Sequence, residues 1–594
     1  MPFRAPVSDI AFCLHEVAGF DRLARAYPDA DAETVRAVLE GAGQFATEVL
    51  APLNRDGDRI GARFENGQVI AAPGFGEAYR QYVQQGWSGL AADPAYGGQG
   101  LPKAVALSVF EMVHAANMAF GLCPMLSEAA IEALSAHGTE RQKALYLAKL
   151  VSGDWTGTMN LTEPQAGSDL SLLWTRAEPD GQGGYRLTGE KIYITWGDHD
   201  VADNIVHLVL ARLPDAPEGV RGISLFLAPK RRVGEDGALG AANALRPASI
   251  EHKLGIHGSP TCVMLFEGAT AELVGQPNQG LAHMFTMMNA ARLNVGMEGV
   301  GIAERAYQQA LEYALERRQG RSPWSLEAPG RIFDHPDVRR TLMLMRAKIE
   351  AARGLCLSTA VAADLARVGE TEAERAEARL REELFTPIAK AWSTDVGVEV
   401  ASQGLQVHGG MGYVEETGAA QHYRDARIAP IYEGTNGIQA IDLMGRKLAI
   451  GDGEAVRRLI AEIQPTASAL KSHDNAWLHA IGARLEAGIG AVHAATGWLV
   501  ERRGHAQPDA LAGATPYLKL MGDVIGGWML AKGALAAAER LSATAAPDPH
   551  WRTRIGLARL FSEQVLAQAP GLTAAVTQGS ADLYNTSPEA LGAA

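Results

Sequence analysis

At 594 residues, with 47% hydrophobic and 21% charged residues, the chain is too long for one hydrophobic core, and about 150 residues per domain sets a ceiling of roughly four domains. Its formal net charge of −14 argues against a broad phosphate-binding face, which needs clustered Lys and Arg, so nucleic acid is not an expected partner. The four cysteines, Cys13, Cys123, Cys262 and Cys356, are widely spaced without a Cys-x-x-Cys pair, which points to neither zinc nor disulfides and fits a reducing cytoplasm.

Residues 1–30 read as an N-terminal extension; they lack a basic stretch followed by an apolar core, and no uncharged apolar run reaches about 18 residues, so neither a secretion signal nor a membrane span is expected. From Asp31 apolar residues recur at helical spacing, as in AETVRAVLEGAGQFATEVLAPL and LSVFEMVHAANMAFGLCPMLSEAAIEAL, which predicts an all-helical domain over residues 31–157. The pattern then shifts to short β-rich runs, YRLTGEKIYIT, NIVHLVLARL, GISLFLAP and TCVMLFEG, separated by Gly, Pro and Asp. This predicts a small β domain over residues 158–279. Helical periodicity returns in LNVGMEGVGIAERAYQQALEYALERR and HPDVRRTLMLMRAKIEAARGLCLSTAVAADLA, and segments this long predict a bundle over residues 280–450. Residues 451–594 are Ala-rich and helical in pattern, with 12 Lys and Arg against 13 Asp and Glu. They form an additional helical domain without an evident catalytic cluster, expected to pack against a partner subunit.

Three segments carry candidate chemistry. LTEPQAGSD, from Leu161 to Asp169, is a hydroxyl-rich turn at the junction of the first helical and β domains; taken alone it is a Pro-Gly loop capped by Ser168 and Asp169. GEKIYITWG, from Gly189 to Gly197, is a strand with an aromatic residue and a threonine near its exit. HGGMGYVEETGAAQHYRDARIAPIYEGTNGIQ, from His408 to Gln439, brings glycines, an Arg-Asp-Ala-Arg run and the carboxylate of Glu433 between Tyr432 and Gly434. The histidines His252, His257 and His408 lack the i, i+4 spacing beside a carboxylate of a zinc helix, so no metal is expected. Gly296, Gly299 and Gly301 do not follow a strand, which favours close helix packing over a dinucleotide turn.

In this order and spacing the three segments resemble the acyl-CoA dehydrogenase family over about Asp31 to Leu448, and the final helical domain resembles the large bacterial subgroup that includes 3-methylmercaptopropionyl-CoA dehydrogenases. The resemblance implies a mainly α fold with a central β-barrel: a helical N-terminal domain, the barrel, and a C-terminal four-helix bundle. It implies FAD as cofactor, with Leu161 and Thr162 on the flavin pyrimidine edge, Ser168 at the phosphates and the thioester, and Tyr193, Ile194 and Thr195 along the ring. Relatives carry Trp at the position of Tyr193 and Asn at that of Trp196, so Trp196 is expected to reshape the approach to the ring. By the same resemblance Arg317, Gln406 and Gly410 meet the FAD of a neighbouring subunit in a homo-oligomer, and Thr435 adds a flavin contact. Asn289, Arg292, Tyr432 and Gly434 fall at substrate positions.

Removing the α-proton of a thioester requires a base close to the carbon and donors for the developing enolate oxygen. The resemblance assigns the base to Glu433 and an oxyanion contact to its N–H; the alternative position for a base in some relatives is Ala291 here. It also implies hydride transfer from the β-carbon to flavin N5 and an electron-transferring flavoprotein as acceptor. An oxidase that passes electrons to oxygen is the nearest rival reading. A non-catalytic nucleic-acid-binding relative is the rival from another class, and its added domain would have to be basic.

Overall fold

The computed structural model describes residues 3–504, 506–543, 548–578 and 580–592. The chain divides into two compact units, one formed mainly by Ala32–Asn294, the other by Val7–Asp31 with the chain from Val295 onward.

In the first unit the sequence period dictates a helical layer followed by a barrel. The helix Lys103–His137 is apolar all round, with its residues almost wholly buried, and Asn117 breaks it with φ −158° and ψ 90°. The Asn117 side chain accepts from Phe120 N at 3.1 Å and so restarts the turn it interrupts. By length and composition this helix could cross a membrane, but its most apolar window is entirely buried within the protein. The next helix, Glu140–Ser152, starts at Thr139 through a capping box with Gln142. One β element interrupts the stretch expected to be all-helical: Arg63–Glu65 pairs antiparallel with Gln68–Ile70. Its turn is Asn66-Gly67, both at positive φ (51° and 78°), the Asn-Gly hairpin signal that the surrounding helical periodicity obscures.

The barrel closes because the strand Thr261–Val274 pairs on one side with Tyr185–Thr195 and on the other with Ile223–Pro229. The circuit runs on from Ile223–Pro229 to Asn204–Arg212, which meets Arg176–Pro179 at a single parallel pair, and Arg176–Pro179 returns antiparallel to Tyr185–Thr195. Trp155–Asn160 adds a parallel strand beside Asn204–Arg212. Closure protects the edges of the strands in the circuit, while Trp155–Asn160 stays at the end of the sheet. The inward side chains, among them Leu187, Ile194, Val209, Phe226, Cys262, Met264 and Phe266, fill a continuous core.

The second unit is a helical bundle. Gly280–Glu316 enters it from Val295, beside Pro336–Val368 and Glu372–His408. Close packing explains two of the three glycines: a Cβ on Gly296 would sit 2.8 Å from Ala389 O, and one on Gly299 2.3 Å from Ser393 O. The last helices pack on this bundle of their own chain. Trp392 Nε1 donates to Asp523 Oδ1 at 3.0 Å, and a Cβ on Gly522 would meet the Trp392 ring at 2.3 Å. From Val7 onward the residues expected to form an extension are part of the same unit: Asp9 pairs with Arg346 at 2.5 Å and with Arg554 at 2.7 Å, while Phe12 lies under the Arg554 guanidinium at 3.9 Å.

Candidate active site

In the barrel unit, one buried ion pair shapes the loop that follows the strand Trp155–Asn160. Lys191 Nζ donates to Glu163 Oε1 at 2.8 Å and to Leu161 O at 2.9 Å. Glu163 also accepts from Trp174 N at 2.6 Å and from the Thr175 N–H and hydroxyl. Burial pushes the Glu163 carboxyl up, but Lys191, Thr175 and Trp174 together outweigh it and hold the group below its ordinary value. Burial brings Lys191 down to about 8, with Glu163 opposing. Ile192 N donates to Thr162 O at 2.9 Å, which lashes the loop to the strand Tyr185–Thr195.

The result is a ledge on which Leu161, Thr162 and Thr195 are half-buried and Ser168 is exposed. Tyr193 (61% exposed, φ 60°) and Trp174 (71%) flank it. Exposed aromatic faces beside hydroxyls and backbone groups suit a flat heteroaromatic ring carrying polar edges, so the ledge fits a flavin. Two expectations need correction. The Ile194 side chain, 2% exposed, belongs to the barrel core, leaving only its backbone to meet a ligand. Trp196 is 1% exposed and does not open onto the ledge; its Nε1 donates to Ala119 O at 3.1 Å and its ring stacks 6.4 Å from Phe75. Its φ of 50° turns it into the helical layer. In the same unit Arg292 is buried, donates to the exposed Asn289 at 3.3 Å and lies over Phe285.

In the bundle unit, Glu433 lies on the loop between the helices Ala419–Ala426 and Asn436–Asp442. Glu433 and Gly434 follow one another at φ 56° and 81°, a left-handed turn that is strained at the glutamate and persists because its surroundings overdetermine it. Gln439 Nε2 donates to Glu433 O at 3.1 Å, and Lys390 Nζ donates to Gly434 O and Asn436 Oδ1, both at 2.9 Å. Asn436 in turn donates to Ala391 O at 3.0 Å and Asp395 Oδ1 at 2.8 Å. The Thr435 hydroxyl caps the following helix by accepting from Ile438 N. The Glu433 residue is half-buried, with its Oε2 shielded from solvent. Tyr432 donates its hydroxyl to Glu298, a fully buried carboxyl on Gly280–Glu316.

Arg317, Gln406 and Gly410 are exposed. Tyr313 stacks on His408 at 4.5 Å, so the helix ends that carry them lie side by side, apart from the Glu433 loop. Sequence reading missed Glu163, Lys191, Trp174, Lys390 and Glu298. Glu298 carried a usable signal, a lone carboxylate inside the apolar and small run LNVGMEGVGI. Among the described residues no group of three or more His, Cys, Asp or Glu is arranged to hold a metal.

The chain matches the models for the acyl-CoA dehydrogenase N-terminal domain over residues 32–154, the middle domain over 158–269 and the C-terminal domain over 278–449. Residues 459–587 match an acetyl-CoA dehydrogenase C-terminal-like model. It is 46% identical over 590 residues to 3-methylmercaptopropionyl-CoA dehydrogenase of Ruegeria pomeroyi, covering 99% of this chain and 100% of that protein. Its fold is similar to Caenorhabditis elegans ACDH-11 in complex with C11-CoA (TM-score 0.77, 22% identity, 95% and 92% of the two chains). It is also similar to an acyl-CoA dehydrogenase of Bacillus anthracis complexed with FAD (TM-score 0.75, 19% identity, 99% and 94%). The chain belongs to the acyl-CoA dehydrogenase family, oxidoreductases that bind FAD.

Proposed function

We propose that the chain introduces a double bond between Cα and Cβ of an acyl-CoA thioester, with Glu433 as the base that takes the α-proton. The observation that carries this is the Glu433 loop: a carboxylate in a left-handed turn, fixed by buried donors on the two carbonyls beside it. A base held this way needs no reorganisation when a proton arrives, which is where positioned catalysts gain most. The Glu433 N–H serves the thioester oxygen, with Tyr432, Gly434, Ser168, Asn289 and Arg292 shaping the acyl-CoA site. FAD, when bound, supplies the acceptor for the β-hydrogen and its electron pair. Leu161, Thr162, Ser168, Tyr193, Thr195 and Thr435 hold it, and Arg317, Gln406 and Gly410 reach the FAD of a second subunit. An electron-transferring flavoprotein would be the partner that collects the electrons, and the reducing compartment read from the free cysteines is the cytoplasm. The whole-length identity to the Ruegeria pomeroyi enzyme favours 3-methylmercaptopropionyl-CoA as substrate.

The test is anaerobic flavin reduction with 3-methylmercaptopropionyl-CoA, butanoyl-CoA, octanoyl-CoA and palmitoyl-CoA. Glu433→Gln keeps size and hydrogen bonding but loses basicity; it retains FAD and reduces it roughly three orders of magnitude more slowly. A near-normal rate in that variant shows that another group takes the proton. Fastest reduction by palmitoyl-CoA overturns the sulfur-containing substrate while leaving the reaction class intact.

A further inference from the structure

Glu298 is drawn into its place by backbone packing. Gly296 and Gly299 flank it on the helix Gly280–Glu316 and let this helix ride directly against Ala389 and Ser393 of Glu372–His408, which carries Glu298 into a seam where its exposure is 0%. Its Oε2 accepts from the Tyr432 hydroxyl, while its Oε1 is buried with no hydrogen-bond partner among the described residues. The titratable and charged groups that act on it are Tyr432 and Glu433 from the loop and Lys390 from Glu372–His408. Ionisation here strands half of a carboxylate in a dry seam beside a second carboxylate. Burial dominates; the Tyr432 hydrogen bond draws the group back down, Glu433 pushes it up, Lys390 lowers it slightly, and it stands at about 8.

We propose that Glu298 is a positioning residue for the base: from its buried seat it anchors the Tyr432 hydroxyl and so fixes the residue next to Glu433. The proposal rests on the reading of Glu433 as the base. When Glu298 ionises, a further negative charge opposes the charge that builds on the thioester oxygen as the α-proton leaves. Turnover therefore falls on the alkaline side, with a midpoint near 8.

The experiment follows the rate of anaerobic flavin reduction against pH in the holoenzyme, using the fastest acyl-CoA of the panel above. Glu298→Gln keeps a neutral hydrogen-bonding group, so it retains the wild-type rate near neutral pH and loses the alkaline limb. Glu298→Ala leaves the Tyr432 hydroxyl without its acceptor and lowers kcat roughly tenfold at unchanged KM, the size of one hydrogen bond. Tyr432→Phe removes the bond that draws Glu298 down, so the limb moves to higher pH. A wild-type enzyme without an alkaline limb, or a Glu298→Gln enzyme that keeps it, overturns the proposal. Should Glu298→Gln fail to fold, Tyr432→Phe decides, and an unmoved limb is the adverse result. Glu433→Gln separates the two readings: normal reduction in that variant removes the base and this proposal with it, whereas its loss together with an unaltered limb in Glu298→Gln removes this proposal alone.

Unfolding gives a readout independent of turnover. The folded carboxyl sits near 8 and its ordinary value is 4.5, so the folded state holds an extra proton across that window. The stability linked to this group is full below the window and lost as pH rises through it. Glu298→Gln flattens that slope in chemical denaturation of the holoenzyme; an unchanged slope counts against a neutral Glu298.

Discussion

Glu163 in the barrel unit and Glu298 in the bundle unit are almost equally buried, at 3% and 0% exposure, yet one is held below its ordinary carboxyl value and the other far above it. Glu298 is the more deeply enclosed of the two, and the supply of donors differs as well. Glu163 accepts from Lys191, from Thr175 twice and from Trp174, so its charge is dispersed over fixed hydrogen bonds. Glu298 has the Tyr432 hydroxyl and a neighbouring carboxylate. Burial alone does not set the charge state of a carboxyl; the number and sign of the groups that meet it do. The first arrangement builds a rigid ledge, and the second sets an uncharged acid beside a base.

The contrast can be broken at each end. The largest effect is expected at the barrel: Lys191→Met leaves Glu163 buried without its cation and lowers stability by about 3–5 kcal/mol. Urea denaturation measures it, and a loss below about 1 kcal/mol means that the Trp174 and Thr175 donors suffice alone. Next comes Lys390→Met, which removes the donor to Gly434 O and Asn436 at a cost of about 2 kcal/mol. Since Lys390 draws Glu298 down, the same variant moves the alkaline limb of flavin reduction to higher pH; a limb that moves down contradicts the charge pattern described. The smallest effect is Thr435→Ala, which removes the cap of Asn436–Asp442 and costs about 1 kcal/mol. Its signature is a lower Tm with Glu433 chemistry slowed only modestly; a loss matching Glu433→Gln would give Thr435 a direct part in the reaction.

The order of helical, β and helical regions was legible because hydrophobic period is a local property, and Glu433 stood out because its neighbours, Tyr, Gly and the Arg-Asp-Ala-Arg run, are adjacent in the chain. What escaped was set by distant partners. LTEPQAGSD reads as a hydroxyl-rich turn, but Glu163 organises it through Lys191, 28 residues away on another strand. Trp196 follows a flavin-wall pattern up to its neighbour Thr195, and one left-handed residue then turns it inward. Lys390 and Glu298 sit on separate helices that meet only because two glycines permit it. From Val7 the expected extension carries only a short helical pattern, Ile10, Leu14 and Val17, too brief to announce its place in the bundle unit, and its charged partners Arg346 and Arg554 lie far along the chain.

Those anchors impose a schedule on biosynthesis. Asp9 leaves the ribosome among the first residues, while its partner Arg554 lies 545 positions later; at synthesis rates of about 5–20 residues per second, that is a delay of roughly half a minute to two minutes. Until the helices it packs on have been made, first Pro336–Val368 with Arg346 and then the last helices with Arg554, the segment Val7–Ala18 lacks its full docking site, while the barrel can already close. Completion of the bundle unit therefore waits for the last helices, and a nascent chain stalled before Trp551 should hold a folded barrel and a segment Val7–Ala18 that lacks its Arg554 anchor.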